Sequence, residues 1–166
     1  RKDVLGEAWR RVRENGGSGG VDGVQIADLE KNPETLRALG EEILHELKEK
    51  TYRPKPVRRV YIPKPDGRQR PLGIPTIKDR LVQTAAAIIL EAIFEADFQD
   101  FSYGFRPKRD AHQALERIRQ TLWRGYHWVV DVDVQGYFDA IPHDKLMKMV
   151  AERVSDGAVL GSILEW

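Results

Sequence analysis

The chain has 166 residues, 41% of them apolar and 32% charged, and no cysteine. This composition suits one soluble domain or two small subdomains; it excludes disulfides and thiolate metal sites and is compatible with a cytoplasmic location. The formal net charge is only +1, no apolar run approaches membrane-spanning length and no secretory signal is present, so no membrane partner is expected.

Val4, Leu5, Ala8, Trp9 and Val12 recur at helical spacing and predict an N-terminal helix, ended by Asn15-Gly16-Gly17-Ser18-Gly19-Gly20. Taken alone, that glycine run reads as a flexible linker. Asn32-Pro33 supplies an N-cap and a first-turn proline. Leu36, Leu39, Ile43 and Leu47 continue it as a second amphipathic helix. Val57 to Lys64 and Arg68 to Ile74 read as the strands of a hairpin, with turn chemistry from Asp66-Gly67. Prolines at 63, 65, 71 and 75 make it an edge ribbon rather than part of a central sheet. Thr76 and Asp79 resemble a capping box with Asp in place of Glu. The helix after them, through Leu81, Ala85, Ile88, Ile89, Ala92 and Ile93, is the most apolar in the chain and is expected in the core. Ala111, Ala114, Leu115, Ile118 and Leu122 mark another helix, with Gly125 as its C-terminal glycine cap. His143 to Val154 is again helical, with Leu146, Met147, Val150 and Val154 facing inward. The order gives an α+β fold with strands in at least two separate places.

Two stretches carry chemistry. Val129 to Asp139 reads as a buried strand followed by an aromatic turn at Tyr137-Phe138. Val130, Val132 and Val134 would share one face of that strand and Asp131 and Asp133 the other. Carboxylates beside a hydrophobic strand need a compensating charge, and a magnesium ion that handles phosphates would supply it. The alternative is a solvated turn. The second stretch is basic: Arg53, Lys55, Arg58, Arg59, Lys64, Arg68, Arg70, Lys78 and Arg80 stand against only Asp66 and Asp79. Such a block attracts phosphate even in a nearly neutral chain, unless it is merely a solvated hairpin. The histidines at 112, 127 and 143 have no metal-ligand spacing.

Several segments point one way. Ile62-Pro63-Lys64-Pro65-Asp66-Gly67 precedes Arg70-Pro71-Leu72-Gly73-Ile74-Pro75-Thr76. Ser102-Tyr103-Gly104-Phe105-Arg106-Pro107 follows with Arg109 and His112, then Asp133-Val134-Gln135-Gly136-Tyr137-Phe138-Asp139-Ala140-Ile141-Pro142-His143. In this order and spacing the chain closely resembles the reverse transcriptases encoded by bacterial group II introns, the intron maturases, over almost its whole length. Gly19-Gly20-Val21-Asp22-Gly23 also resembles that family's N-terminal extension, against the linker reading.

The resemblance implies right-hand polymerase fingers with a basic β-hairpin plus the first part of a truncated palm. It divides the chain into an N-terminal extension over 1–32, fingers over 33–125 with the hairpin at 57–74, and the start of the palm over 126–166. It implies an RNA-directed DNA polymerase that adds dNTPs to the 3′-hydroxyl of a DNA or RNA primer on an RNA template, with the intron RNA as a further partner. Two Mg2+ ions about 3.5–4 Å apart (Mn2+ being an alternative) would stabilise the attacking and leaving oxygens. By motif match Asp133 is the catalytic, metal-bridging aspartate, and Val134 offers a backbone carbonyl to the metal carrying the triphosphate. Lys64 and Arg70 match fingertip residues that contact the triphosphate, and Phe138 matches the aromatic that excludes a 2′-hydroxyl. Asp139 is read as a turn, capping or supporting residue.

Phe105, Arg106 and Arg109 would lie near template and nucleotide. For Arg106 a buried ion pair with Asp131 or Asp139 stands as the structural alternative. Arg58, Arg59 and Arg68 contact the template or are simply solvated.

The family's second acidic motif, an aromatic-x-Asp-Asp turn, has no counterpart in these residues, nor have its thumb and maturase domain. Asp133 is one carboxylate where the mechanism takes about three, so the chain by itself is expected to be inactive. With its first residue Arg1 and its last inside an apolar pattern, it reads as a fragment. CRISPR-associated, retron and diversity-generating reverse transcriptases share the palm chemistry and remain alternatives for the subtype. A non-catalytic reading is an RNA-binding maturase scaffold that assists intron splicing. Self-association through apolar Val159, Leu160, Ile163, Leu164 and Trp166 is also expected.

Overall fold

The apolar spacing near the N-terminus forms α1 (Lys2–Asn15), which buries Ala8 and Val12 and stops at Gly16, a glycine with φ of 62°. The computed structural model describes residues 1–65 and 67–165, without the side chain of Asp139. Asp66 and Trp166, expected in the hairpin turn and the apolar patch, lie outside the described residues, as does the supporting role read for the Asp139 side chain.

Two units divide the chain: Arg1–Ile89 with the segment from Val154 onward, and Leu90–Arg153. In the first, α2 (Ile26–Lys31) is a short helix that no apolar periodicity announces; a reciprocal capping box between Gln25 and Asp28 starts it. The expected cap at Asn32 forms: its Oδ1 accepts from Thr35 N at 3.2 Å and opens α3 (Pro33–Glu49). The hairpin is β1 (Arg58–Pro63) and β2 (Gln69–Ile74), antiparallel, with Val60 opposite Leu72 and Ile62 opposite Arg70. Lys64 N donates to Arg68 O at 2.7 Å, and Gly67 N to Lys64 O at 3.0 Å. Gly67 has φ of 80°, a left-handed conformation that suits the end of a short hairpin connection.

The next helix, α4, spans Ile77–Phe94. The core joins Ala8, Val12, Leu29, Ile43, Tyr52, Ile77, Leu81 and Val82. Each large aliphatic side chain buried there contributes on the order of 1.5–3 kcal/mol. Ile77, Leu81 and Val82 are fully buried, Ala85 and Ile88 are partly buried against the same core, and Ile89 is exposed, so the expected core helix holds along one face as far as Ile88.

Thr76 and Asp79 form half of the expected capping box. Thr76 Oγ1 accepts from Asp79 N at 3.1 Å and donates to Asp79 Oδ2 at 2.6 Å. Asp79 does not reach back to the Thr76 N–H in this geometry; its carboxylate turns to Tyr52 and Lys55. Tyr52 OH donates to Oδ1 at 2.7 Å and Lys55 N to Oδ2 at 3.2 Å. Asp79 and Thr76 are both buried. Beside them Lys78 Nζ donates to Glu42 at 2.6 Å and Glu46 at 2.7 Å, joining α4 to α3.

A 3-10 turn at Glu95–Asp97 opens the irregular part of the second unit. α5 (Ala111–Trp123) starts where Asp110 Oδ1 accepts from Gln113 N at 2.8 Å, and Gly125, with φ of 92°, follows its end as expected. Then come α6 (Tyr137–Ala140) and α7 (His143–Ala151). Arg153 Nη2 meets Asp97 Oδ1 at 2.6 Å. α7 stops short of Val154, which is buried beyond it, and Leu146 is exposed rather than inward. α8 (Gly157–Leu164) belongs to the first unit. Val159, Leu160 and Ile163, expected as an unpaired patch, are half-buried, and Leu164 is exposed.

The acidic stretch departs from expectation. Residues 127–134 form no strand, and Val130, Val132 and Val134 are 86%, 76% and 59% exposed. The alternation is present but a strand needs a neighbour to satisfy its ladder. Among the described residues the sheet consists of β1 and β2 alone. No helix among them is long and apolar enough to cross a membrane.

Removing the Tyr52 hydroxyl takes a donor from a buried carboxylate. Tyr52→Phe is expected to lower the unfolding free energy by about 1–3 kcal/mol in urea denaturation.

Candidate nucleotide and nucleic-acid interface

The hairpin register sorts its side chains. Opposed residues of an antiparallel pair share a face and alternate along each strand. One face therefore carries Arg58, Val60 and Ile62 with Ile74, Leu72 and Arg70, and continues past the strand ends to Lys64 and Arg68. The other carries Arg59, Tyr61 and Pro63 with Gly73, Pro71 and Gln69. Lys64 and Arg70 thus stand on the same face near the ribbon tip, and both are exposed. Arg68 is exposed on that face and Arg59 on the opposite one. Arg58, at the root, donates to Gly19 O at 3.1 Å and Ser18 Oγ at 2.8 Å.

The segment before α5 treats its cations differently. Arg106 is buried. Its guanidinium donates to both Glu95 oxygens, at 2.7 and 3.2 Å, and to the carbonyls of Gln99 and Ser102 at 2.7 and 2.8 Å. It also lies 5.0 Å from the Phe98 ring centroid. The alternative of a buried ion pair is the one observed, with Glu95 as partner instead of Asp131 or Asp139. The guanidinium is committed to this loop, which leaves the nucleic-acid contact expected of Arg106 without a free fork.

Around it the backbone turns left-handed at Phe105 (φ 54°) and Lys108 (φ 59°), a conformation that bulky residues rarely adopt. Phe105 is held there with its ring fully exposed, at 104%. Arg109 is also near the surface, its guanidinium 5.7 Å from the Tyr103 ring centroid.

Asp133 lies near the end of the exposed stretch without regular structure, just before the turn at Gln135-Gly136. Gly136 takes φ of 62° and ψ of 29° and starts α6. Tyr137 and Phe138 pack edge to face, with centroids 5.4 Å apart, and Phe138 is 81% exposed. Lys64 and Arg70 belong to the first unit, Asp133, Val134 and Phe138 to the second.

The family model described as "Reverse transcriptase (RNA-dependent DNA polymerase)" matches residues 62–162, from the hairpin through α8. The chain is 46% identical to the group II intron-encoded protein LtrA of Lactococcus lactis subsp. cremoris over 115 residues, which are 69% of this chain and 19% of that protein. The chain belongs to the group II intron reverse transcriptase/maturase family. It is also 44% identical over 143 residues to protein YkfC of Escherichia coli, covering 82% of this chain and 36% of that protein. Nuclear intron maturase 1, mitochondrial, of Arabidopsis thaliana is 38% identical over 89 residues, 54% of this chain and 12% of the relative. The chain therefore spans little more than a third of the length of YkfC and less of the others.

Reverse transcriptases as a family generally use magnesium. The Asp133 carboxylate and Val134 carbonyl are the hard oxygen donors that magnesium takes. Their number does not suffice. Among the described residues no group of three or more acidic or histidine side chains is placed to hold a metal ion, whereas magnesium fills about six positions. These residues fit one corner of a metal site and do not complete one.

Two features escaped the sequence reading. By pattern Arg80 is one more cation of the basic block and Ser18 one residue of a glycine run, yet Arg80 donates to the carbonyls of Gly16 and Ser18 and the Ser18 hydroxyl accepts from Arg58. The glycine pairs on either side of Ser18 were the available signal, since close backbone approach demands glycine.

The ion pair at Arg106 carries a pH prediction. The hydrogen-bonded guanidinium holds Glu95 below its ordinary carboxylate range. A depressed folded pKa gives stability that is present above the unfolded value, about 4.3, and is lost as pH falls through the lower folded one. The Arg106 Nε–H resonance in an acid NMR titration is expected to keep its shift through pH 5 and to move only below the usual Glu range. Glu95→Gln should abolish that transition.

Proposed function

We propose that the chain is the fingers and first palm portion of an RNA-directed DNA polymerase, in which a primer 3′-hydroxyl attacks the α-phosphorus of a dNTP and pyrophosphate leaves. The observation that carries the reading is the hairpin register, which puts Lys64 and Arg70 on one exposed face. There Arg70 offers phosphate a two-pronged fork and Lys64 a point charge. In the complete enzyme these charges offset those developing on the phosphates. Asp133 supplies one metal-holding carboxylate and the Val134 carbonyl another oxygen. Phe138, its ring exposed beside Tyr137, closes the pocket beneath the sugar. Arg59, Arg68, Phe105 and Arg109 contact the nucleic acid, with Phe105 offering a stacking surface.

The 166-residue chain alone does not polymerise on this reading, because one carboxylate cannot do the work of about three. Primer extension by the protein as encoded is expected to vanish in Asp133→Ala, while magnesium-dependent extension by the pure 166-residue chain would sink this account. RNA binding by the chain should weaken with salt: three phosphate contacts, by Arg59, Arg68 and Arg109, give a slope of roughly −2 in log affinity against log salt.

A second reading rests on the similarity to a protein named as a nuclear intron maturase. It is an RNA-binding maturase scaffold that assists intron splicing without polymerising. Splicing assistance that survives Asp133→Ala, in a protein that never extends a primer, would favour it.

A further inference from the structure

The glycine run between α1 and α2 is a docked loop. Gly19 and Gly20 are buried. A Cβ on Gly20 would stand 2.6 Å from Thr76 N and 2.7 Å from Thr76 Cα, both backbone atoms that cannot swing away. A Cβ on Gly19 would collide with the Val24 carbonyl oxygen. Gly19 N also donates to Gln25 Oε1 at 2.9 Å.

Two guanidiniums from distant elements close over the loop. Arg58, the first residue of β1, takes Gly19 O and Ser18 Oγ. Arg80, in the first turn of α4, donates to Gly16 O at 3.2 Å and to Ser18 O. Loop, hairpin root and helix start are thereby tied at one place. The hairpin needs such an anchor, because a two-stranded ribbon alone is marginally stable. It is also a lever: six residues separate Arg58 from Lys64, about 20 Å of strand, so a root tilt of about 10° moves the tip by roughly 3 Å. Misplacing a reacting or charge-bearing group by about 1 Å can cost on the order of a hundredfold in rate.

We propose that Arg58 and Arg80 are positioning residues: by clamping the loop at 16–20 against the start of α4, they fix the root of the hairpin and thereby set Lys64 and Arg70 on the incoming triphosphate. The inference rests on the polymerase reading of the hairpin. It assigns the two arginines a role through backbone carbonyls. A direct contact with the ligand would have a different signature.

The test uses the protein as encoded, with steady-state primer extension and amide hydrogen exchange on Arg80→Ala, Arg80→Lys, Arg58→Gln and Gly20→Ala. Gly20→Ala removes no charge but forces the loop off Thr76. Arg80→Lys keeps the charge but loses the fork that spans two carbonyls, and it spares the fold should Gly20→Ala fail to fold. The expected result is that Arg80→Ala and Gly20→Ala each raise the dNTP KM about tenfold, the loss of a charge-assisted hydrogen bond, and speed exchange at 16–20. Arg58→Gln should do the same to a smaller degree, and Arg80→Lys should fall between wild type and Arg80→Ala.

A wild-type KM in Gly20→Ala, or full rescue by Arg80→Lys, would mean that the charge acts directly and would overturn the proposal. So would unchanged exchange at 16–20 in Arg80→Ala. Asp133→Ala, measured alongside, tests the polymerase reading separately: if it still extends primers that reading fails, and the clamp is then judged by exchange at 16–20 and 58–74 alone.

Discussion

The first unit hangs on one buried carboxylate. Asp79 accepts from the Thr76 hydroxyl, the Tyr52 hydroxyl and the Lys55 amide, so three donors from two chain segments, the stretch after α3 and the start of α4, converge on a group that water would otherwise have to solvate. A buried carboxylate is tolerated only when it is hydrogen-bonded this fully. Once it is, the geometry is exacting: it sets where α4 begins, where the chain leaving α3 must pass, and where β2 must end. The docked glycine loop follows from the same placement, because Gly20 rests against the backbone of Thr76. Lys78 adds a second tie to α3 one residue away.

Arginines in this chain perform two jobs that composition does not distinguish. Arg106 and Arg80 both spend their donors on the protein's own carbonyls. Arg106 adds a two-pronged pair with Glu95 and a ring beneath it. A guanidinium suits this work because its fork can bridge two oxygens and it stays charged when partly desolvated. The cations left for an external anion are fewer than the basic block suggests.

Much of this was legible in the residues. The hairpin edges, its turn, the caps at Asn32 and Thr76 and the ends at Gly16 and Gly125 are local chemistry, settled within a few residues. What was not legible depends on partners far along the chain. Nothing in the spacing of Arg106 selects Glu95 over Asp131 or Asp139. Nothing in the apolar run of α4 says that full burial stops near Val82 and that Ile89 is exposed. The short α2 has too few turns to show periodicity, and only its Gln25–Asp28 box marks it. The aspartate stretch was read as buried because its valines alternate. Alternation says which residues share a face; whether anything covers that face is decided by segments that the pattern does not contain. For the candidate site, the motif residues could be named and the sharing of a face by Lys64 and Arg70 follows from register. The clamp on the glycine loop needed three dimensions.

The uncovered valines have a consequence for handling the molecule. Val129 to Val134 is a short, β-branched, exposed run with no proline, the kind of segment that pairs with copies of itself. Its only charges are Asp131 and Asp133. Like charges at these two positions are the kind of device that opposes such pairing by repulsion. Neutralising them therefore changes colloidal behaviour as well as chemistry, and a loss of signal in such a variant has to be separated from precipitation before it is read as a loss of function.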